Sequence, residues 1–484
     1  MAIKATHDSD IVSADHESIP IHRIKHALTK SVLLKTDMRV LPLVALLFLC
    51  SFLDRTNVGN AKIIGLEKDI DIDPSQYRNG LAIYYACYIA SEVPSNLIIK
   101  KISPKIWLPF LTFAWGMITI GIGFMRDYKD FMILRAVLGI FEGGLFPGIV
   151  LYLSSMYTRG ELAVRIGVFY TGGSLSGAFG GLLARGLSAI SPRGGLEGWR
   201  WIFIMEGVIT TIVAAASYIG LPNSLHEAPF LTKEEQQWAV ERLNQDEGGR
   251  FSRALARDEP FQWCEVRRGI FNVQVWLNST AYFAIIAGLY SFGLFLPTII
   301  KEMGIASNAN QVQLWSVIPF AVATPFTVLV ALLSDRLKVR GIIILCVIPI
   351  AIVGYAVIAN AKQPETRFAM TCLMALGMYC AVPPVLVWNA NNSAGHYKRA
   401  TTSGLQLAIA NAGGFVAAFV YPDSQGPYYY AGHTIILGLL CYAWFAVLAN
   451  IFWCAKINRD KARGVYSKYI GSGDDRDPEF KMVL

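Results

Sequence analysis

Apolar residues run along this chain in twelve long blocks separated by shorter polar segments. The blocks cover roughly residues 39–60, 77–99, 106–125, 130–157, 164–188, 199–221, 270–299, 312–334, 341–360, 367–392, 401–421 and 433–455. About 20 apolar residues in a helix cross a hydrocarbon layer of about 30 Å. The blocks are continuous and show no period of two, so they predict spanning helices and not the strands of a barrel. Two long polar stretches break the pattern, 1–38 and 222–269, and the second divides the spans six and six. Within it Leu231, Trp238 and Leu243 stand among charges, which predicts a short amphipathic surface helix. The organisation expected is a polar tail at 1–38, a six-helix bundle at 39–221, a central loop at 222–269, a second bundle at 270–455 and a tail at 456–484. The first tail has no charged segment followed by an apolar one, so no cleaved signal peptide is expected.

Composition narrows the class. With 54% hydrophobic and 16% charged residues and a mean hydropathy of +0.42, the chain is too apolar for a soluble multidomain enzyme or a disordered protein. The net charge of +8 does not indicate nucleic acid, because Lys and Arg collect in the cytoplasmic loops of membrane proteins. With an even number of spans, both tails share one side with the central loop. That side carries 30 of the 43 Lys and Arg, the other side 11, and Arg55 and Arg135 lie inside spans. Both tails are therefore expected in the cytoplasm. The eight Cys form no CxxC pair, and no disulfide framework or zinc site is expected. Walker A, GxSxG and HExxH motifs are missing, so no catalytic residue, metal or cofactor is expected. Asn278 opens an Asn-Ser-Thr triplet, but inside span 7, where glycosylation is discounted.

A charge at the bilayer centre costs about 2.5–3.5 kcal/mol, so each one inside a span needs a reason. They are Asp54, Arg55, Glu92, Arg135, Glu142 and Glu206, all in the first half. The polar positions inside the second-half spans are amides: Asn389, Asn391, Asn392, Gln406 and Asn411. Asp54 and Arg55 are neighbours whose side chains point about 100° apart, so each needs its own partner or a water-lined cavity. Arg135 and Glu142 are seven apart and share a face of span 4. These four read either as a functional cluster or as ion pairs that hold helices together. Buried pairs stabilise little once desolvation is counted, which favours function. Tyr84, Tyr88 and Glu92 form one stripe of span 2, suited to a cavity wall or to plain packing, with Glu92 a candidate gate. Glu206 near the outer end of span 6 reads as structural.

Asn389 and Asn392 share a face at the end of span 10. They could touch the uncharged part of a ligand, or bond between helices for about 0.6 kcal/mol each. Gly173, Gly177 and Gly181 in span 5 fall four apart and predict close helix approach. Span 4 carries Gly143, Gly144, Pro147 and Gly148, residues that mark cavities in membrane helices. The seven His avoid the middle of the spans, so proton coupling would have to use carboxylates.

Twelve spans in a six-plus-six split around a long loop, with LLSDRLKVR after span 8, resemble the major facilitator superfamily. Asp335, Arg336 and Arg340 match its loop motif, which implies a gate. The corresponding first-half loop, LIIKKISPK, lacks the Asp-Arg. Five strings are more specific: KTDMRVLPL at 35–43, LDRTN at 53–57, YIASEVPSN at 88–96, LRAVLGIFEGGLFPG at 134–148 and WNANNSAGHYKRA at 388–400. They are similar to the fungal anion:cation symporters, the allantoate permease group, which carry allantoate, nicotinate, pantothenate, biotin and short carboxylates. The resemblance implies an all-α membrane protein with twelve transmembrane helices in two six-helix bundles, rocking around a midplane site. It further implies a monomer in the plasma membrane that imports a small organic anion with protons, driven by the proton gradient and not by a cofactor. Its partners would be the substrate, protons and the lipid bilayer, with no nucleic acid.

Sugar-acid and sialic-acid proton symporters belong to the same tree. Matching residue by residue, Arg55 would hold the substrate carboxylate, Asp54 and Glu142 would exchange protons and compete for Arg55, and Arg135 matches the span-4 Arg. Tyr84, Tyr88, Phe169, Trp388, Asn389 and Asn392 are expected to shape the pocket. Drug antiporters of the superfamily carry a Gly-Pro in span 5; SLSGAFGG has no Pro, which favours uptake. An exporter of a secondary metabolite or drug is the alternative, and a nutrient sensor a third.

Overall fold

The computed structural model describes residues 21–188, 195–245, 263–394, 396–471 and 474–484; the first half of the N-terminal tail and residues 246–262 of the central loop lie outside them. Each apolar block is a helix. Spans 1, 2 and 3 are Ile21–Ile64, Pro74–Ile102 and Pro104–Ile122. Span 4 is two helices, Tyr128–Glu142 and Leu145–Met156, and spans 5 and 6 are Arg159–Ser188 and Gly198–Gly220. Spans 7 to 10 are Val273–Glu302, Ala309–Leu337, Gly341–Ile358 and Pro364–Asn391. Span 11 is again split, His396–Asn411 and Gly413–Phe419, and span 12 is Tyr430–Ala462. Nine of these, counting span 4 as one, are long and apolar enough to cross a membrane. The other three are spans 2, 5 and 11, which carry the Tyr–Glu stripe, the glycine series and the broken amide-bearing helix.

Local chemistry sets the ends. Pro74, Pro104 and Pro364 open their helices, where a missing N–H costs nothing. Asp73 closes a capping box with Gln76, and Asp127, Asn272 and Asn308 each accept a first-turn N–H. Helix pairings repeat with an offset of six. Spans 1·5, 1·6, 2·4, 3·4 and 3·6 pack in the first half, and 7·11, 7·12, 8·10, 9·10 and 9·12 in the second. That repetition makes two bundles of six. They meet along spans 1·7, 2·11, 5·8 and 5·10. Large apolar side chains such as Leu97, Phe113, Ile212, Phe326 and Phe445 are exposed on the outside, where lipid covers them.

Glycines set the closest approaches. A Cβ at Gly139 would fall 2.3 Å from the Tyr84 carbonyl oxygen, and one at Gly143 2.3 Å from that of Tyr88. Span 4 can therefore lie directly on span 2, which seats Arg135 and Glu142 beside the tyrosine stripe. The span 5 series divides its work. Gly177 and Gly181 meet Phe320 and the Gln313 carbonyl across the bundle interface, while Gly173 faces Phe48 inside its own bundle.

The tail-bearing face is braced. The amphipathic helix forms as Lys233–Gln245 and packs on the lower part of span 1. Its Glu235 accepts from Lys35 Nζ at 2.8 Å and Ser31 Oγ at 2.6 Å, and Trp238 donates to Thr29 at 2.9 Å. Burial alone would raise the Glu235 carboxyl; the bonds from Lys35, Ser31 and the Thr232 N–H outweigh it and hold it at about 2. The C-terminal residues tuck under the second bundle. Asp474 and Asp475 bind Arg268 at 3.0 and 2.9 Å, and Lys398 reaches Asp475 at 2.6 Å.

Candidate functional site

Arg55 lies where the bundles meet, and each of its three guanidinium nitrogens donates a hydrogen bond. Nε donates to Tyr84 Oη at 3.0 Å, Nη1 to Tyr290 Oη at 2.7 Å and Nη2 to Glu142 Oε1 at 2.8 Å. Glu142 Oε1 also accepts from Ser51 Oγ at 2.6 Å, while its Oε2 has no partner among the described residues. The rings of Phe52, Tyr88 and Tyr290 surround the cation at 4.9–5.0 Å. Spans 1, 2, 4 and 7 thus converge on one positive charge, and Tyr290 is the second bundle's hand on it. Tyr290 Oη passes on to Asn411 Oδ1 at 3.0 Å, and Asn411 Nδ2 donates to Glu92 Oε2 at 3.2 Å. One polar chain therefore crosses the bundle interface twice. Nearer the opposite face, Lys62 bridges to Asp423 of the second half at 2.9 Å.

Asp54 looks elsewhere. It accepts from Trp115 Nε1 at 3.0 Å and Thr210 Oγ1 at 3.4 Å, inside the first bundle between spans 3 and 6. The expected competition between two acids for Arg55 is corrected accordingly. Glu142 is the acid that holds Arg55; Asp54 faces the other way, as the 100° step between neighbours requires. Arg135 is buried with no hydrogen bond from its guanidinium to any described residue, its charge lying 4.5 Å from the Tyr84 ring centre.

Several expected site residues lie apart from this cluster. Asn389 donates to the Thr402 carbonyl and to Gln406 Oε1, and Gln406 donates to Asn278, a network internal to the second bundle. Asn392 pairs with the C-terminal segment, donating to the Val483 carbonyl at 3.0 Å and accepting the Val483 N–H at 2.7 Å. Trp388 donates to the same carbonyl at 2.8 Å. The sequence places these side chains on span 10 correctly but gives no sign of the tail that occupies them. Phe169 packs on Phe48 and Phe146 inside the first bundle. In the loop motif Asp335 pairs with Arg340, which also donates to Ser334 at 2.7 Å, while Arg336 is exposed and outside this pairing. Glu92 is buried in mid-bundle on Asn411, so its contact is with the interface core.

Tyr290, Asn411 and Ser51 are the members of the site that sequence reasoning did not single out. Asn411 was visible as a mid-span amide. Tyr290 carried only the weak signal of a polar aromatic amid the small residues of AGLYSFG. Beside Arg55 a cavity of about 10 Å³ remains, lined by Phe52, Tyr85, Tyr290 and Tyr379 among others. That holds at most one water. Among the described residues the bundles are joined at this point through Arg55 and Tyr290.

A paired-bundle membrane fold closed on a buried, shared charge defines a membrane transporter and not an enzyme. Residues 44–418 match the Major Facilitator Superfamily, and the chain belongs to that family. An uncharacterized transporter of Schizosaccharomyces pombe is 33% identical, over 100% of this chain and 95% of its own. The high-affinity nicotinic acid transporter of Saccharomyces cerevisiae is 29% identical, over 97% of this chain and 88% of its own. Among solved structures, a bacterial homolog of the human lysosomal transporter Spinster, inward-facing and occupied, superposes with a TM-score of 0.61 at 15% identity, over 85% of this chain and 96% of that one.

Proposed function

We propose that the protein imports a small organic carboxylate together with protons, by alternating access. The observation that carries this reading is the Arg55–Glu142 pair at the bundle interface with Tyr290 reaching it from the other side. A guanidinium binds a carboxylate through a two-pronged fork. Here one prong already holds the protein's own carboxylate and the other a tyrosine of the opposite bundle. A substrate anion that takes Arg55 must displace Glu142, and protonating Glu142 weakens its hold and removes a repelling charge. Proton and anion therefore favour the same loaded state. Displacing Tyr290 at the same time loosens the bundles. The likeness to a nicotinic acid transporter agrees with an aromatic-walled site for a flat monoanion.

The excess of Lys and Arg on the tail-bearing side supports a cytoplasmic position for both tails, and import from outside the cell would put the protein in the plasma membrane. One proton with a monoanion moves no net charge, so the pH gradient alone would drive accumulation. The test is uptake of labelled nicotinate and a panel of other carboxylates by cells expressing the protein, with and without a protonophore. Uptake that rises toward acidic external pH and collapses with the protonophore is expected. Uptake indifferent to the proton gradient, or net export, refutes the reading.

A further inference from the structure

Inside the first bundle, buried polar atoms gather without partners among the described residues. They are Asp54 Oδ1, both amide atoms of Asn57, Thr119 Oγ1, all three guanidinium nitrogens of Arg135 and both carboxyl oxygens of Glu206. All five residues are at most 2% exposed. They come from spans 1, 3, 4 and 6 of one bundle; helix geometry sets Glu206, Thr119 and Asn57 around Asp54, while Arg135 lies over the Tyr84 ring. Glu206 stands one turn before Thr210, whose hydroxyl is on Asp54 Oδ2. Thr119 stands one turn beyond Trp115, whose indole is on the same oxygen. Asn57 is three residues after Asp54, on its stripe.

At 1.5 Å per residue, their depths from the helix ends at the face opposite the tails form a series. Thr119 lies about 5 Å in, Asn57 and Arg135 about 10 Å, Glu206 about 12 Å, Asp54 about 15 Å and Glu142 about 21 Å. The charged and titratable groups facing Asp54 are Cys50 on its own helix, Arg135 and Glu142 from span 4 and Glu206 from span 6. Span 3 presents Trp115 and Thr119, which do not titrate there, and Arg185 of span 5 is exposed.

A buried polar atom without a partner costs about 1–3 kcal/mol, and native proteins relieve that cost with ordered water. Packing alone would not retain two acids, an amide, a hydroxyl and a guanidinium on facing helices at that expense. We propose that this file is a hydrated proton path through the interior of the first bundle, separate from the substrate's path between the bundles, and that Glu206 is its relay residue. The proposal rests on the proton-coupled reading above. A proton arriving in water from the face opposite the tails converts the Glu206 carboxylate to the acid. The acid then donates through water to the Asp54 carboxylate, so Glu206 is again an anion and Asp54 the acid. Asp54 donates in turn to Glu142, whose Oε2 is also without a partner. Arg135 of span 4 borders the path near Asp54, its guanidinium without a hydrogen bond to any described residue.

The test uses purified wild type, Glu206→Gln and Glu206→Asp in liposomes, with nicotinate as the probe. Three readouts are needed: uptake driven by a pH gradient, nicotinate exchange at equal pH on both sides, and infrared spectra of substrate-free protein across a pH titration in water and heavy water. Glu206→Gln should cut gradient-driven uptake on the order of a hundredfold, the lower range for a positioned proton-transfer group, while exchange persists and Glu206→Asp regains most of the uptake. Wild type should show a protonated-carboxyl band that shifts in heavy water and is missing in Glu206→Gln. Unchanged uptake together with an unchanged spectrum overturns the proposal. So does loss of exchange along with uptake in Glu206→Gln, which marks a structural role. If wild type itself ignores the gradient, the transport reading fails, and the infrared arm alone decides whether Glu206 takes up protons from water.

Discussion

Glu142→Gln tests the coupling most directly, because the amide keeps the carboxylate's shape. Its oxygen can still accept from Arg55 Nη2 and Ser51 Oγ, the two bonds Glu142 Oε1 makes at 2.8 and 2.6 Å. What disappears is the charge, and with it the ability to bind a proton. On the proposed mechanism, Glu142 is protonated before an anion takes Arg55, so binding would carry one proton with it. For one proton taken up with each anion, linkage fixes the slope: the dissociation constant rises about tenfold, or 1.36 kcal/mol, per pH unit. Two units separate the extremes by about a hundredfold. In Glu142→Gln the same plot is flat, and the variant binds at high pH as well as the wild type does at low pH. It cannot accumulate substrate, since no proton accompanies the anion through this site. The assay is a pH series of calorimetric or thermal-shift titrations with nicotinate and related acids. A ligand at 100 times its dissociation constant adds about 2.7 kcal/mol of stability, well within reach of a melting curve. Equal slopes in wild type and variant would refute the competition between Glu142 and the anion.

Arg55→Lys reaches the membrane but binds carboxylates about ten- to hundredfold more weakly, since an ammonium cannot span Tyr84, Tyr290 and a carboxylate together; wild-type binding would remove Arg55 from the site. Tyr290→Phe deletes the 2.7 Å bond that joins the bundles and shifts the closed state toward open by about 1.5–3 kcal/mol, read as longer distances between spin labels across the Lys62–Asp423 side; unchanged distances refute it. Asn392→Ala removes both bonds to Val483, about 1 kcal/mol each, so the C-terminal segment becomes sensitive to protease while relative uptake among acids stays the same; altered preference would return Asn392 to the substrate site. The Glu235 brace has a carboxyl held at about 2, so its contribution is fully present above about 4.5 and is lost as pH falls toward 2; amide exchange in Lys233–Gln245 should rise through that window, and a flat profile refutes the brace.

Spanning helices were legible because one number, the thickness of the hydrocarbon layer, fixes the length of every apolar run. The charges Asp54, Arg55, Arg135 and Glu142 were legible because charge in a membrane is expensive, whatever its contacts. Partners were not. Tyr290 is neutral and mid-span, and nothing local tells a tyrosine that bonds Arg55 across an interface from one that only packs. Asn389 and Asn392 failed as pocket residues for the converse reason: a shared face fixes direction, not the neighbour it meets, and the neighbour of Asn392 is a segment 91 residues away. Glu206 was visible as a charge but read as structural from its place near a helix end. Only the packing of spans 1, 3 and 6 shows that its carboxyl has no hydrogen-bond partner among the described residues.

The two neighbours Asp54 and Arg55 give span 1 a particular place in the mechanism. One faces the interior of its own bundle, with Trp115 and Thr210; the other faces the seam between bundles, with Tyr84, Glu142 and Tyr290. A proton that settles on the first changes the field at the second across a single peptide unit, while Glu142 stands electrostatically close to both. The hydroxyl of Tyr290 then carries the result to Asn411 of the second bundle, whose amide returns it to Glu92 of the first. Charge inside one bundle and closure between two bundles are in this way set by one turn of one helix. On the proposed mechanism, proton and substrate need not share a pocket, since each would bias the same opening of the interface from its own side of span 1.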